Sequence, residues 1–178
     1  MAVASVLLAG CGAGGDPESA APPKREADSA LAGSPASLAR LHSQANDLLG
    51  GGRSAFEARI RALRGYPVVV NKWASWCDPC RAEFPFFQRQ SIQRGKKIAF
   101  IGVNGNDVDS SAKKFLARFP VSFPSYKDPD LKVSASFNGV AAFPSTAFYD
   151  SKGKLAYLRQ GGYATEQKLN ADIERYAR

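Results

Sequence analysis

The alternation of apolar and polar positions divides the chain into an unpatterned front and an ordered remainder. Residues 38–49 (LARLHSQANDLL) place Leu38, Leu41, Ala45, Leu48 and Leu49 at helical spacing, and Gly50-Gly51-Gly52 breaks the segment. Ser54 is placed to cap a second helix over 55–63, with Glu57 completing a capping box and Gly65 ending it. Val68-Val69-Val70 is a continuous β-branched run, the pattern of a strand covered on both faces, and predicts a strand over 68–72. A helix over 81–94 and a second buried strand over 97–103 follow. Asp109 or Ser110 can cap a helix reaching Arg118, with Ala112, Phe115, Leu116 and Phe119 turned inward. Residues 123–126 read as a short strand and 131–137 as a short helix burying Val133, Ala135 and Phe137 in part. Strands over 146–149 and 155–159 flank a hairpin turn at Asp150-Ser151-Lys152-Gly153. Thr165 caps a last helix over 166–176, with Leu169, Ile173 and Tyr176 on one face. Strands alternating with helices, then a terminal hairpin and helix, predict an α/β sandwich with a mixed sheet.

The front is different. Residues 12–37 are rich in Ala, Gly, Pro, Ser and charge and lack aromatic and β-branched residues, a composition that predicts a flexible tether. The apolar run over 2–9 is too short to span a bilayer. Leu8-Ala9-Gly10-Cys11 matches the lipoprotein signal pattern of an aliphatic residue, two small residues and a cysteine, so Cys11 is a candidate lipidation site. That reading accounts for an odd third cysteine, although no Lys or Arg precedes the apolar run; the other reading is a short tail with a stray cysteine. The expected organisation is a signal over 1–11, a tether over 12–37, and one domain over 38–178 that begins with a helical extension.

With 178 residues and 44% hydrophobic content, one packed domain is expected. The net charge is +8, but the basic residues are spread over 53–64, 81–97 and 113–118, and no nucleic-acid motif accompanies them. Nucleic acid is therefore not an expected partner; a basic surface facing anionic membrane or an acidic partner is.

The chemistry concentrates where the first buried strand hands over to a helix, at Trp76-Cys77-Asp78-Pro79-Cys80. A free thiol has a pKa of about 8.5, and the thiolate is the nucleophile. A helix N-terminus offers unpaired N–H groups and roughly half a positive charge, which favours the thiolate of Cys77. Pro79 suits the first turn, where no N–H is needed. Cys80 falls on the same helix face about 5–6 Å away, close enough for a disulfide. Cys77 is thus expected to attack, and Cys80 to resolve a mixed disulfide. A zinc site would need Cys11 and His42 as further ligands, both far upstream, and covalent haem attachment would need His where Arg81 stands. A purely structural disulfide over so short a loop gains little loop entropy.

The stretch VVVNKWASWCDPCRAEFP resembles the active-site segment of thioredoxin-fold proteins and is similar to the TlpA/ResA-like (DsbE-like) membrane-tethered thiol–disulfide oxidoreductases. The resemblance runs from Ala55 to the C-terminus. It implies a thioredoxin-like three-layer α/β/α sandwich with a central mixed sheet and an αβ insertion. It also implies exchange with protein thiols and disulfides, an upstream membrane redox donor, and no bound cofactor or metal. Trp76, Phe143 and Pro144 match substrate-facing positions, with Pro144 at the family's cis-proline, although GVAAFPST is longer than the usual Gly-Val-Pro spacing. Asn71 stands where thioredoxins carry a buried Asp. Glu83, one helical turn past Cys80, matches the carboxylate that ResA-like proteins use instead; buried there it should have a raised pKa and move protons. Pro85 is expected to kink the helix. The resulting expectation is an extracytoplasmic, lipid-tethered protein-disulfide reductase, with cytochrome c maturation as the role that the resemblance implies. The alternative is a lipoprotein binding module on the same scaffold, its disulfide only structural.

Overall fold

The structure, a computed structural model, describes residues 24–178. The elements run α1 (Lys24–Leu31), α2 (Ala36–His42), β1 (Leu48–Leu49), α3 (Gly52–Ala62), β2 (Val68–Trp73), α4 (Asp78–Arg94), β3 (Ala99–Gly105), α5 (Asp109–Arg118), β4 (Ser125–Asp128), α6 (Lys132–Ala135), β5 (Ser145–Tyr149), β6 (Leu155–Gln160) and α7 (Glu166–Tyr176). One six-stranded sheet has the order β1-β4-β3-β2-β5-β6. The first four strands in that order are mutually parallel, and β5 and β6 add antiparallel pairings, so the sheet is mixed.

Strand β2 is buried at every position because helices cover both faces of the sheet. Val69 and Phe100 point into a core shared with Phe84 and Phe87 of α4, Phe115 of α5 and Ile173 of α7. Val68, Val70, Ile101 and Ala147 point the other way, onto Leu38 and Leu41 of α2 and Phe56 and Ile60 of α3. This is the expected thioredoxin-like α/β/α sandwich, with β4 and α6, between α5 and β5, as the expected insertion.

Several local expectations are corrected. The predicted tether is helical from Lys24 to Leu31: α1 buries Ala27 and Leu31 and packs on α4, so these side chains gain a surface that composition does not reveal. It seats over the second half of α4, where Ala27 and Leu31 share a cavity with Gln88 and His42 and a Cβ on Gly95 would come within 2.6 Å of Leu31. The signal at 1–11, including Cys11, and the tether before residue 24 lie outside the described residues.

The predicted helix over 38–49 ends at His42, and Leu48–Leu49 pair with β4 instead. Asn46 causes the change. It adopts a left-handed φ of 66°, accepts from the Val121 N–H at 2.8 Å, and donates to the Leu116 carbonyl at 3.2 Å. Ser54 does not cap α3: Gly51, at φ 89°, takes the N-cap position, and Glu57 pairs with Arg53 at 2.6 Å. In α6, Ala135 is exposed, and Ser134 is buried beside Val133. Asp109 and Ser110 do not cap α5 but lie inside its first turn, after Val108 in the N-cap position, and Thr165 takes the N-cap position of α7 without a side-chain cap hydrogen bond; both helices lie where expected.

Candidate active site

Strand β2 ends at Trp73 in the core, and Ala74-Ser75-Trp76 carries the chain over the sheet edge to Cys77. The loop after β3 fixes this crossing. Asp107 accepts from the Ser75 N–H at 2.6 Å and the Ser75 hydroxyl at 2.7 Å, and the Trp76 indole N–H donates to the Asn106 carbonyl at 2.9 Å. These donors, with those of Asn104 and Val108, hold the Asp107 carboxyl below the usual range against the opposing effect of its partial burial.

Cys77 is the N-cap residue of α4, and Pro79 sits in the first turn. Cys77 and Cys80 form a disulfide, with S–S 2.01 Å and Cα–Cα 5.3 Å. The Cys80 N–H donates to the Cys77 sulfur at 3.2 Å, so the sulfur already occupies the place of a capping acceptor. Cys77 is 4% exposed and Cys80 0%, which leaves Cys77 as the sulfur an incoming partner can reach. Asp78, whose side chain is 84% exposed, pairs with Arg81 at 3.0 Å.

On α4, Cys80, Glu83, Phe84 and Phe87 share the buried face, and Pro85 lies inside the helix. Glu83 is fully buried and accepts from the Asn71 side-chain amide at 2.7 Å and from the Tyr163 N–H at 2.9 Å. Burial pushes its carboxyl up to about 7, against the opposing pull of these two donors and of Arg159. A Cβ on Gly162 would come to 3.4 Å from Pro144, 3.5 Å from Glu83 and 3.6 Å from Pro79, ordinary contact distances, so the chain after β6 passes beside all three.

The Phe143–Pro144 peptide is cis, at the start of β5. Antiparallel pairing of β5 with β2, Lys72 opposite Ser145, brings it to the same end of the sheet as the disulfide. The rings of Phe143 and Trp76 lie 4.9 Å apart, and Trp76 is 54% exposed. Every expected site residue within the described part, Trp76, Cys77, Cys80, Glu83, Phe143 and Pro144, is thus gathered at one end of the sheet.

Lys72 was not among the expected site residues. It is 0% exposed, and its ammonium donates to the carbonyls of Gly139 at 2.7 Å, Val140 at 3.1 Å and Ala142 at 3.1 Å. It also lies 3.6 Å from the centre of the Phe143 ring. Burial lowers its pKa to about 8, more than Asp128 raises it. The signal in the sequence is a lysine just after an apolar run that predicts a strand buried on both faces; a charge there needs a dedicated set of acceptors. Asp107 carried no such signal, because an aspartate in a loop is ordinary.

Comparison with known proteins bears on this arrangement. Residues 51–173 match the Redoxin family. The thiol-disulfide oxidoreductase ResA of Halalkalibacterium halodurans is 28% identical over 139 residues, 78% of each chain. The thioredoxin-like protein YneN of Bacillus subtilis is 30% identical over 125 residues, 67% of this chain and 72% of that one. Among solved structures, MTB DsbF is 29% identical with a TM-score of 0.59, over 65% of this chain and 84% of that one. The chain belongs to the Redoxin family, in the branch of the ResA- and DsbE-like thiol–disulfide oxidoreductases.

Proposed function

We propose that this protein is an extracytoplasmic protein-disulfide reductase, held at the membrane through Cys11, in which Cys77 attacks, Cys80 resolves and Glu83 moves the proton. The observation that carries the reading is the placement of a buried glutamate, with its proton affinity raised to about pH 7, one helical turn beyond the less accessible sulfur of a Cys77–Cys80 pair. In the reduced protein the Cys77 thiolate attacks one sulfur of a partner's disulfide. That bond breaks, a Cys77–partner disulfide forms, and the partner's other sulfur leaves as a thiolate that takes up a proton. Cys80 then gives its proton to Glu83 and attacks the Cys77 sulfur. The mixed disulfide breaks, the Cys77–Cys80 disulfide closes, and the partner's second thiol is released. Two electrons pass to the partner, and a dithiol donor must return them before the next cycle.

Trp76, Phe143 and Pro144 would face the partner's segment. Proline offers no N–H, so the backbone of Phe143 is left to pair with an extended chain. The oxidoreductase name of the ResA relative and the oxidised and reduced forms of DsbF support the exchange chemistry; the partner class we take from the resemblance of the active-site stretch is the oxidised thiol pair of an apocytochrome. The test is reduction of insulin by the protein with dithiothreitol as the electron source. Turnover well above background, abolished by Cys77→Ser, is expected. Wild type indistinguishable from Cys77→Ser would return the protein to a binding role with an inert disulfide.

A further inference from the structure

We propose that Lys72 is a positioning residue for substrate capture, whose ammonium sets the loop ahead of Pro144 so that the Phe143 ring packs on Trp76 beside the disulfide. This rests on the oxidoreductase reading above and assigns to it a residue outside the reacting set.

A lysine in the middle of the sheet is costly unless each of its donors is satisfied. Here the ammonium has three hydrogens and three protein acceptors, the carbonyls of Gly139, Val140 and Ala142. All three belong to one short segment without regular structure, and that segment ends at Phe143. The segment is otherwise a surface loop: Val140 is 44% exposed and Ala141 is exposed. Of the three carbonyls, that of Ala142 also accepts from the Ser145 hydroxyl, at 2.8 Å, but Gly139 and Val140 have Lys72 as their described donor. The cation also lies against the Phe143 ring, which itself meets Trp76. Lys72 is fully covered, so it cannot touch a partner protein. Whatever it does for binding, it does through the loop.

An extended partner segment reads the loop through the backbone and ring of Phe143. With the loop held in advance, binding does not have to order it. Without the ammonium, that ordering falls to the binding step. A small disulfide needs only the sulfurs and should not register the change.

The experiment mixes the reduced protein with insulin, or with 2-hydroxyethyl disulfide, and follows oxidation of Cys77–Cys80. Lys72→Met is expected to lose about tenfold in the second-order rate constant with insulin, equivalent to about 1.4 kcal/mol, and to stay within about twofold with 2-hydroxyethyl disulfide. Lys72→Gln keeps a donor without the charge; an intermediate loss is expected, and it takes the place of Lys72→Met if that variant melts below the assay temperature. Combined with Phe143→Ala, Lys72→Met should add little to the loss with insulin, since both act on one contact. Equal losses with both disulfides, unchanged rates with both, or additivity with Phe143→Ala would each overturn the proposal. A wild type inert toward both disulfides would instead remove the oxidoreductase reading on which it stands.

Discussion

Burial makes the neutral form of Glu83 easier to hold, while the donors from Asn71 and Tyr163 favour the charged form, and burial prevails. Asn71 can tune this proton but cannot carry it. Glu83→Gln keeps the shape and removes the proton acceptor. The resolving step, followed as decay of a Cys77 mixed disulfide, should slow by about 10²–10⁴-fold where proton transfer limits it. Rates unchanged between pH 5 and 9 would make Glu83 a bystander. Asp78 acts on the other sulfur. Its charge opposes the Cys77 thiolate, and the helix N-terminus favours it by about 0.3–1 kcal/mol. Arg81, paired with Asp78, offsets part of the opposition. A thiolate without strong stabilisation gives a reducing couple. Asp78→His should make the couple more oxidising on equilibration with glutathione. A wild-type potential near −120 mV, that of DsbA, would argue for an oxidase instead. The cysteines were legible from their helical spacing after a buried strand, and Glu83 from the family resemblance, with the one-turn spacing from Cys80 in support. Lys72 and Asp107 were not, because their partners lie on loops 67–70 and 32 residues away.

Among the elements, α1 shows how little a short helix needs when a surface awaits it. Isolated helices of this length are marginal in water, and α1 is held by Ala27 and Leu31 against α4. Leu31→Ala should cost about 2 kcal/mol, the low end for a buried leucine, because α1 can lift away and soften the loss. In hydrogen exchange, the α1 amides should open at a much lower free energy than those of β2. Equal protection of the two would mean that α1 is part of the global folding unit. Composition hid this helix because nothing in its residues declares a partner. For the same reason Leu48 and Leu49 looked like the end of a helix: two leucines fit either period, and β4 together with the turn at Asn46 decides between them. The longer patterns, β2, β3, α4 and α7, needed no such context, and their extents differ from expectation by only a few residues.

For the whole molecule, the Glu83 proton links stability to pH. The oxidised folded protein holds it up to about pH 7, whereas the unfolded chain releases it near 4.5, the ordinary value for a glutamate. Between these values the folded state binds the extra proton. Its stabilising effect is complete below pH 4.5 and is lost as pH rises through 7, on the order of 3 kcal/mol at about 1.4 kcal/mol per pKa unit. Denaturant midpoints of the oxidised protein should fall over that window, and Glu83→Gln should flatten the profile; parallel profiles would mean that Glu83 is ionised throughout. The proposed anchor has its own test: full-length protein made in a lipidating host should partition into detergent, and Cys11→Ala should stay in the aqueous phase. A wild type that remains aqueous would remove the lipid. Helix α4 sets the orientation of any such attachment. Its 17 residues span about 25 Å. The disulfide sits at its first turn, and α1 lies over its second half. A bead, a fused carrier or a surface joined ahead of Lys24 is therefore gripped from behind, and the exposed ring of Trp76, packed on Phe143, is left at the far end.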